Sequence, residues 1–361
     1  MRWPWQRTYS TDQLVLCWWG KTFAFVQARR QAAGAYQILA MGVEHQGLDD
    51  REAFVKRLQG LGFKGLRATF MLRSEQYQLL QIATPAVPPE ELRSAARYQV
   101  REMLQSHVDD VTIDVIQVGD GQHKGTGHSF VVAATNVVVK EVMDLASALD
   151  CKVSVIDIQE TAQRNMQSEL ARRDGTLARA NAALILIDGE QAVLTISANE
   201  ELFYTRRFDV PEGFLRASWG QGVAAAAPVD GFTPVEEYVP DYGLGDVAFG
   251  DDLSTAQPRQ DASPGASQLD EDRAQRLVVE VQRSLDVWDR TWSTLPLSNL
   301  RVFAGERTAE LANWLALQLG QVVTPLDVTS MFPGFEAANG VDQSLIMPML
   351  GVLLRAESES L

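Results

Sequence analysis

DQLVLCWWGKTFAFVQ, residues 12–27, reads as two short apolar strands joined by a turn at Gly20-Lys21, with Cys17, Trp18 and Trp19 placed just before the turn. Apolar runs of this length bounded by a glycine pair predict a tight hairpin. Strand, small residues, strand is also the arrangement in which several nucleotide-binding folds hold a phosphate, because bare backbone N–H groups can approach an anion there. Two indoles at such a corner need an explanation.

The same grammar returns later. AALILIDGEQAVLTISANEELFYTRRFDV, residues 182–210, gives strand, Asp188-Gly189 turn, strand, Asn199-Glu200 turn and strand. One unit written twice is the most informative feature of the chain, and it predicts two α/β lobes. Around the first copy, YQILAMGV (36–43) and RATFMLRS (67–74) read as strands. A helix is predicted over 49–60, with Phe54, Val55 and Leu58 on one face. PPEELRSAARYQVREML (88–104) reads as a helix whose first turn accepts the prolines. TIDVIQVG and SFVVAATNVVV read as a strand pair around a glycine-rich tip; VVKEVMDLASALD reads as a helix, KVSVIDIQ as a buried strand and ETAQRNMQSELARR as another helix. Beyond the second copy come a long helix presenting Leu277, Val281, Leu285 and Trp288, a strand at NLRVFAG, a helix ending at Gly320 and a final helix started or kinked at Pro348.

At 361 residues the chain exceeds what one core usually covers. Its net charge of −15 is uneven: residues 228–272 hold eleven acidic residues against Arg259 alone, and lack periodicity, which predicts a solvated, mobile insertion. The remainder is only mildly acidic, which disfavours nucleic-acid binding. Two cysteines, Cys17 and Cys151, make no disulfide scaffold and suit a reducing, cytoplasmic setting. No stretch is apolar enough for a spanning helix. His123 and His128 share the glycine-rich tip and read as solvated loop, since a metal site needs three or four convergent ligands. The tip, GDGQHKGTG, departs from a phosphate-binding P-loop, and no GxSxG is present.

Seven stretches then line up with one family: LVLCWWGKTFAFVQ, the PPEELRSAARYQVREML and VDDVTIDVIQVG block, KVSVIDIQETAQ, the 182–210 repeat, LVVEVQRSLDVWDRTW, NLRVFAGERTAELANWLALQLGQVV and LGVLLR. In their order the chain resembles the type IV pilus assembly PilM family of actin-like ATPases, on the side of the members serving MSHA pili. The resemblance covers most of the chain outside the acidic stretch. It implies an α/β, actin-like (ribonuclease H-like) fold of two lobes with a small inserted α+β subdomain. The expected divisions are 1–81 for the start of the first lobe, 82–150 for the insertion, 151–180 for the return to that lobe, 181–330 for the second lobe and 331–361 for a helix closing on the first. It also implies a protein on the cytoplasmic face of the inner membrane, peripheral to it, that binds the cytoplasmic tail of a PilN-like membrane protein within the pilus assembly complex. ATP and Mg would lie between the lobes. The cytoplasmic GspL-like components of type II secretion share the fold but continue into a spanning helix, and none follows Leu361, so that reading ranks lower. Arg2, Trp3, Trp5 and Arg7 could touch the membrane surface, although such a start is more often an ordinary terminus.

The nucleotide loops are where the sequence departs from the family. Where the first loop's aspartate is expected stands Cys17, and where its glycine is expected stands Trp19, leaving Gly20, Lys21 and Thr22. An indole fills ~200 Å² and cannot share a phosphate cradle. The second loop maps to Leu186 and Asp188, or with a shifted turn to Asp188 and Gly189; the pair is also simply a favoured hairpin turn. The third keeps Gly305, with Glu306 and Arg307 in place of glycines. Three weakened loops together predict no catalytic residues, no resident cofactor or metal, and a pseudo-ATPase that serves as a scaffold. Gly20, Lys21, Thr22, Asp188, Gly189 and Gly305 are the expected remnant of the cleft. The alternative is a slow ATPase in which Asp188 orients the metal and Lys21 touches phosphate.

Overall fold

The computed structural model describes residues 12–31, 34–118, 127–187, 191–217, 219, 266–337 and 340–355, with backbone alone at 266–273 and 340–341. β1 (Asp12–Trp19), β2 (Thr22–Arg30) and β3 (Tyr36–His45) form an antiparallel meander, followed by α1 (Arg51–Gln59) and by β4 (Arg67–Leu72), which pairs parallel to β1. Next come β5 (Tyr77–Ala83), α2 (Leu92–Gln99), β6 (Val111–Val118), β7 (His128–Thr135) and α3 (Asn136–Ala148), before β8 (Lys152–Ile158) rejoins β4 in parallel and α4 (Gln159–Arg173) follows. The second half repeats the plan with β9 (Ala180–Ile187), β10 (Gln191–Ala198), β11 (Glu201–Asp209), α5 (Ala266–Thr291), β12 (Leu297–Phe303), α6 (Thr308–Leu319), β13 (Val323–Pro325) and α7 (Gly340–Leu353).

The two five-stranded sheets have the same strand order, β3-β2-β1-β4-β8 and β11-β10-β9-β12-β13, and a third sheet, β5-β7-β6, stands apart. The repeat seen in the sequence is therefore a repeat of topology. Its hairpin turns as expected: Trp19 pairs with Thr22 across Gly20-Lys21, and Gly20 takes φ +52°, which a side chain would resist.

Each central strand is apolar on both faces because helices cover both. Leu14 and Leu16 face α1 and α3 beside Phe54, Leu58, Val142 and Leu145, whereas Val15 and Cys17 face a core shared by both lobes. That shared core also takes Ala183, Ile185 and Val193 from the second sheet, Ala162 and Met166 from α4, and Ile346, Met349 and Leu350 from α7. The helices are exchanged. α4 follows the first sheet but lies on β9, β10 and β11, while α7 follows the second sheet and lies on β1, β2 and β3.

The two cross at Gly351, where an added Cβ would stand 1.9 Å from the carbonyl oxygen of Ala162, and Asn165 Nδ2 donates to Gly351 O at 3.1 Å. α4 is buried along most of its length despite its polar sequence. Gln163 Nε2 donates to Ala183 O (2.8 Å) and Val193 O (3.1 Å), and Gln167 Nε2 to Asn181 O (2.8 Å) and Thr195 O (3.0 Å). These bonds give each of the two buried amide NH2 groups two acceptors.

Several expectations need correction. β5 was not anticipated, and it starts the third sheet at Tyr77, ahead of the expected boundary at 82. The strand read through SFVVAATNVVV stops at Thr135, whose hydroxyl accepts from Val138 N and caps α3, so an N-cap outweighs the β preference of three valines. α3 then packs under the first sheet with α1. The helix expected through Leu104 ends as α2 at Gln99. β8 is an edge strand, half exposed rather than buried. Residues 266–272, counted within the acidic stretch, are the opening turns of α5; residues 228–265 lie outside the described residues, as do Arg2, Trp3, Trp5, Arg7 and His123. His128 is buried at the start of β7, with its Nε2 3.2 Å from Phe203 O and its ring against Phe130 and Trp292, so it is not part of a solvated tip.

The Gly351 crossing gives the first prediction. Gly351→Ala forces two backbones apart, which costs about 3 kcal/mol or more. Urea denaturation is expected to show a matching fall in midpoint, and an unchanged midpoint contradicts the crossing.

Candidate functional site

Neighbouring residues of a strand point to opposite faces, and that separates the two tryptophans. Trp18 lies on the outer face against Phe54 and Phe23 (ring centroids 5.6 and 6.2 Å), with the Arg51 guanidinium 5.4 Å from its ring. Trp19 alone packs toward the core between the lobes, and the Arg73 guanidinium sits 4.6 Å over it. Of the two indoles expected together at that corner, Trp18 lies on the outer face and Trp19 alone on the inner one. Cys17, on the same face, is 1% exposed.

The remnant residues sit as follows. Gly20 and Lys21 are exposed at the hairpin tip; Lys21 O accepts from Gln46 N at 2.8 Å, and Thr22 Oγ1 lies 3.3 Å from His45 Nδ1. Gly305, at φ +58°, joins β12 to α6, and its carbonyl accepts from the Thr308 hydroxyl at 2.6 Å. Asp188 and Gly189 lie outside the described residues. Lys21, Thr22 and Gly305 have partners within their own lobes, and Gly20 is exposed at the turn.

Two residues after Gly305 stands Arg307. Its guanidinium lies 3.7 Å from the Trp219 ring centre, Nη1 donates to Leu215 O (2.7 Å) and Ala217 O (2.8 Å), and Nε donates to Glu310 at 2.8 Å. That pairing holds the Glu310 carboxyl below the usual range. Trp219 stacks in turn on Trp314 and Phe214. The space between the β12–α6 connection and residues 214–219 is filled by the chain's own arginine and indole.

Between the sheets lies a polar seam. After β4 the chain makes a short 3-10 turn, Ser74–Gln76, tied to the hairpin by Gln76 Nε2 donating to Trp18 O at 2.9 Å. Ser74 Oγ donates to Gln191 Oε1 on β10. Arg207 of β11 donates through Nη1 to Ser74 O (2.9 Å) and through Nε to Glu160 Oε1 (2.6 Å), and its guanidinium lies 4.5 Å from the Tyr77 ring centre. The Tyr77 hydroxyl donates to the other oxygen of Glu160 and accepts from Gln159 N at 3.2 Å. Burial above all, and then the Glu160 charge, push the Tyr77 hydroxyl well above its ordinary value. Burial pulls Arg207 down, but Tyr77 and Glu160 outweigh it and leave the guanidinium raised. Charges placed so that each neutralises another hold a shape.

Reading the sequence passed over Tyr77, Glu160 and Arg207. One signal was present: Arg206-Arg207 inside an apolar strand forces one arginine to each face, and each needs an acid. Arg206 finds Glu280 of α5 and Arg207 finds Glu160.

No family model matches the chain, and no curated protein matches it. Among solved structures, the PilM–PilN type IV pilus biogenesis complex is similar over 95% of this chain and 96% of that one, at 15% identity and a TM-score of 0.61. Lower similarity is found to a protein of actin-like ATPase fold and unknown function from Bacteroides thetaiotaomicron (94% and 96% covered, 11% identity, TM-score 0.44). The cytoplasmic domain of EpsL, an inner-membrane component of the type II secretion system of Vibrio cholerae, is similar over 60% and 79% (14% identity, TM-score 0.39). The fold is actin-like, α/β, with helices on both faces of each main sheet. No helix among the described residues is long and apolar enough to cross a membrane.

The buried tyrosine sets a pH dependence. An unfolded tyrosine ionises near pH 10, whereas folded Tyr77 keeps its proton, so its contribution is complete below about pH 10 and declines as pH rises above it. Tyr77→Phe is expected to lose about 2–3 kcal/mol at neutral pH, because it strips a donor from the buried Glu160 carboxylate, and to show a shallower alkaline decline in chemical denaturation. Equal slopes in the two proteins contradict this.

Proposed function

We propose that the chain is a scaffold of an MSHA-like type IV pilus assembly machine. It sits on the cytoplasmic face of the inner membrane, holds the cytoplasmic tail of a PilN-like protein, and couples it to the rest of the assembly complex. The likeness to the PilM–PilN structure over nearly the whole of both chains supports the fold on which this reading stands. The partner comes from that structure's name and from the family resemblance of the sequence.

The observation that carries the pseudo-ATPase part is the filling of both ends of the cleft by the chain itself. Trp19 under Arg73 occupies the first-loop corner, and Arg307 over Trp219 occupies the space beside Gly305. An actin-like fold that used ATP would need bare backbone and a carboxylate at the first corner; buried Cys17 and a stacked indole do not fit a magnesium triphosphate. No chemical step is therefore routed through a nucleotide. Lobe arrangement, rather than hydrolysis, is what the protein offers its partner.

A synthetic peptide of the PilN-like tail is expected to bind without nucleotide in isothermal calorimetry. Absence of binding at high micromolar concentration contradicts the scaffold reading. Melting curves are expected to stay flat up to millimolar Mg-ATP, because a ligand that does not bind the native state cannot stabilise it. A rising melting temperature, with phosphate release above background, would restore the motor reading built on Asp188 and Lys21.

A further inference from the structure

We propose that Arg207, with Glu160 and Tyr77, is a built-in clamp that keeps the two lobes closed on each other without any ligand. The inference rests on the reading of the cleft as free of nucleotide, and adds what closes it instead. β11 is the edge strand of the second sheet, and its paired arginines tie it in two directions. Arg206 binds Glu280 and so fixes the strand to α5 of its own lobe. Arg207 pairs with Glu160 of α4, which lies on its own sheet, and reaches out of that lobe to Ser74 O and to the Tyr77 ring. Ser74 and Tyr77 follow directly from β4 of the first sheet, and Glu160 lies in the first turn of α4, the helix exchanged between lobes. Ser74 to Gln191 is a second bond along the same seam.

Burial decides which way this network acts. The Glu160 side chain is 0% exposed and that of Arg207 is 23% exposed, unlike surface pairs such as Lys64 with Asp150, at 84% and 66%, which contribute little. A carboxylate so placed is tolerated only while Arg207 and the Tyr77 hydroxyl face it. Without the arginine, the chain lowers its energy by opening the seam between α4 and Tyr77 and hydrating Glu160. The shared apolar core joins the lobes near the helix crossing, and at this seam their closure depends on one side chain of the second lobe. Nothing in the network needs a phosphate.

The test compares the whole native chain with Arg207→Met and with the double variant Arg207→Met/Glu160→Gln, using hydrogen exchange and small-angle scattering. Arg207→Met is expected to keep its circular dichroism, to increase its radius of gyration, and to speed exchange at Gln76, Tyr77 and Gln159 by about tenfold or more. Removing the stranded charge in the double variant is expected to recover part of the melting temperature while exchange at the seam stays fast. A folded Arg207→Met with native scattering and native exchange overturns the clamp. Should neither variant fold, the native protein still decides: the Gln159 amide, bonded to the Tyr77 hydroxyl, is expected among the slowest to exchange, and exchange at the rate of an open amide overturns it. No nucleotide or peptide enters these measurements. Failure of the clamp thus leaves tail binding standing, and failure of tail binding leaves the clamp standing.

Discussion

Everything in the structure hangs on the exchange of two helices. Each sheet's last strand delivers a helix to the other sheet, α4 to β9–β11 and α7 to β1–β3, and the two meet where Gly351 lies against the Ala162 carbonyl. Only a residue without a Cβ permits that approach, and only there can both helices reach their partner sheets. The crossing fuses two cores that would otherwise be separate, because Val15, Ala183, Met166 and Met349 all belong to one cluster. A molecule built this way cannot shed one lobe without exposing the core of the other.

Around that crossing the chain pairs its own cations: Arg73 lies over Trp19 at the first hairpin, Arg307 over Trp219 near Gly305, and Arg207 pairs with Glu160 between β11 and α4. The polar face of α4 belongs to the same design. Gln163 and Gln167 are held by sheet carbonyls rather than by apolar contact, so the position of the helix is set by directional bonds.

The architecture was legible because repetition is a global signal: the strand-turn-strand units at 12–27 and 182–210 give the two sheets and the Gly20-Lys21 and Asn199-Glu200 turns, and Gly320 ends α6 in the left-handed conformation as a C-terminal glycine should. What escaped was non-local. β5 pairs with β7 some fifty residues away, and nothing in YQLLQIA announces its partner. The polar run of α4 does not announce its burial, which follows only from the exchange. At the site, the loss of bare backbone around Trp19 and Arg307 was visible as residue types. The assignment of Trp18 to the outer face depended on which face of β1 meets α1. Asp188 and Gly189, the remaining remnant residues, lie outside the described residues.

The central claim is that aromatic rings and arginines of the chain occupy the corners where a triphosphate would sit. A crystal structure grown with Mg and a non-hydrolysable ATP analogue tests it most directly. The account predicts Trp19 still under Arg73, Arg307 still over Trp219, and no ordered phosphates in the cleft. An analogue seated beside Gly20 with the Trp19 indole swung away would contradict it.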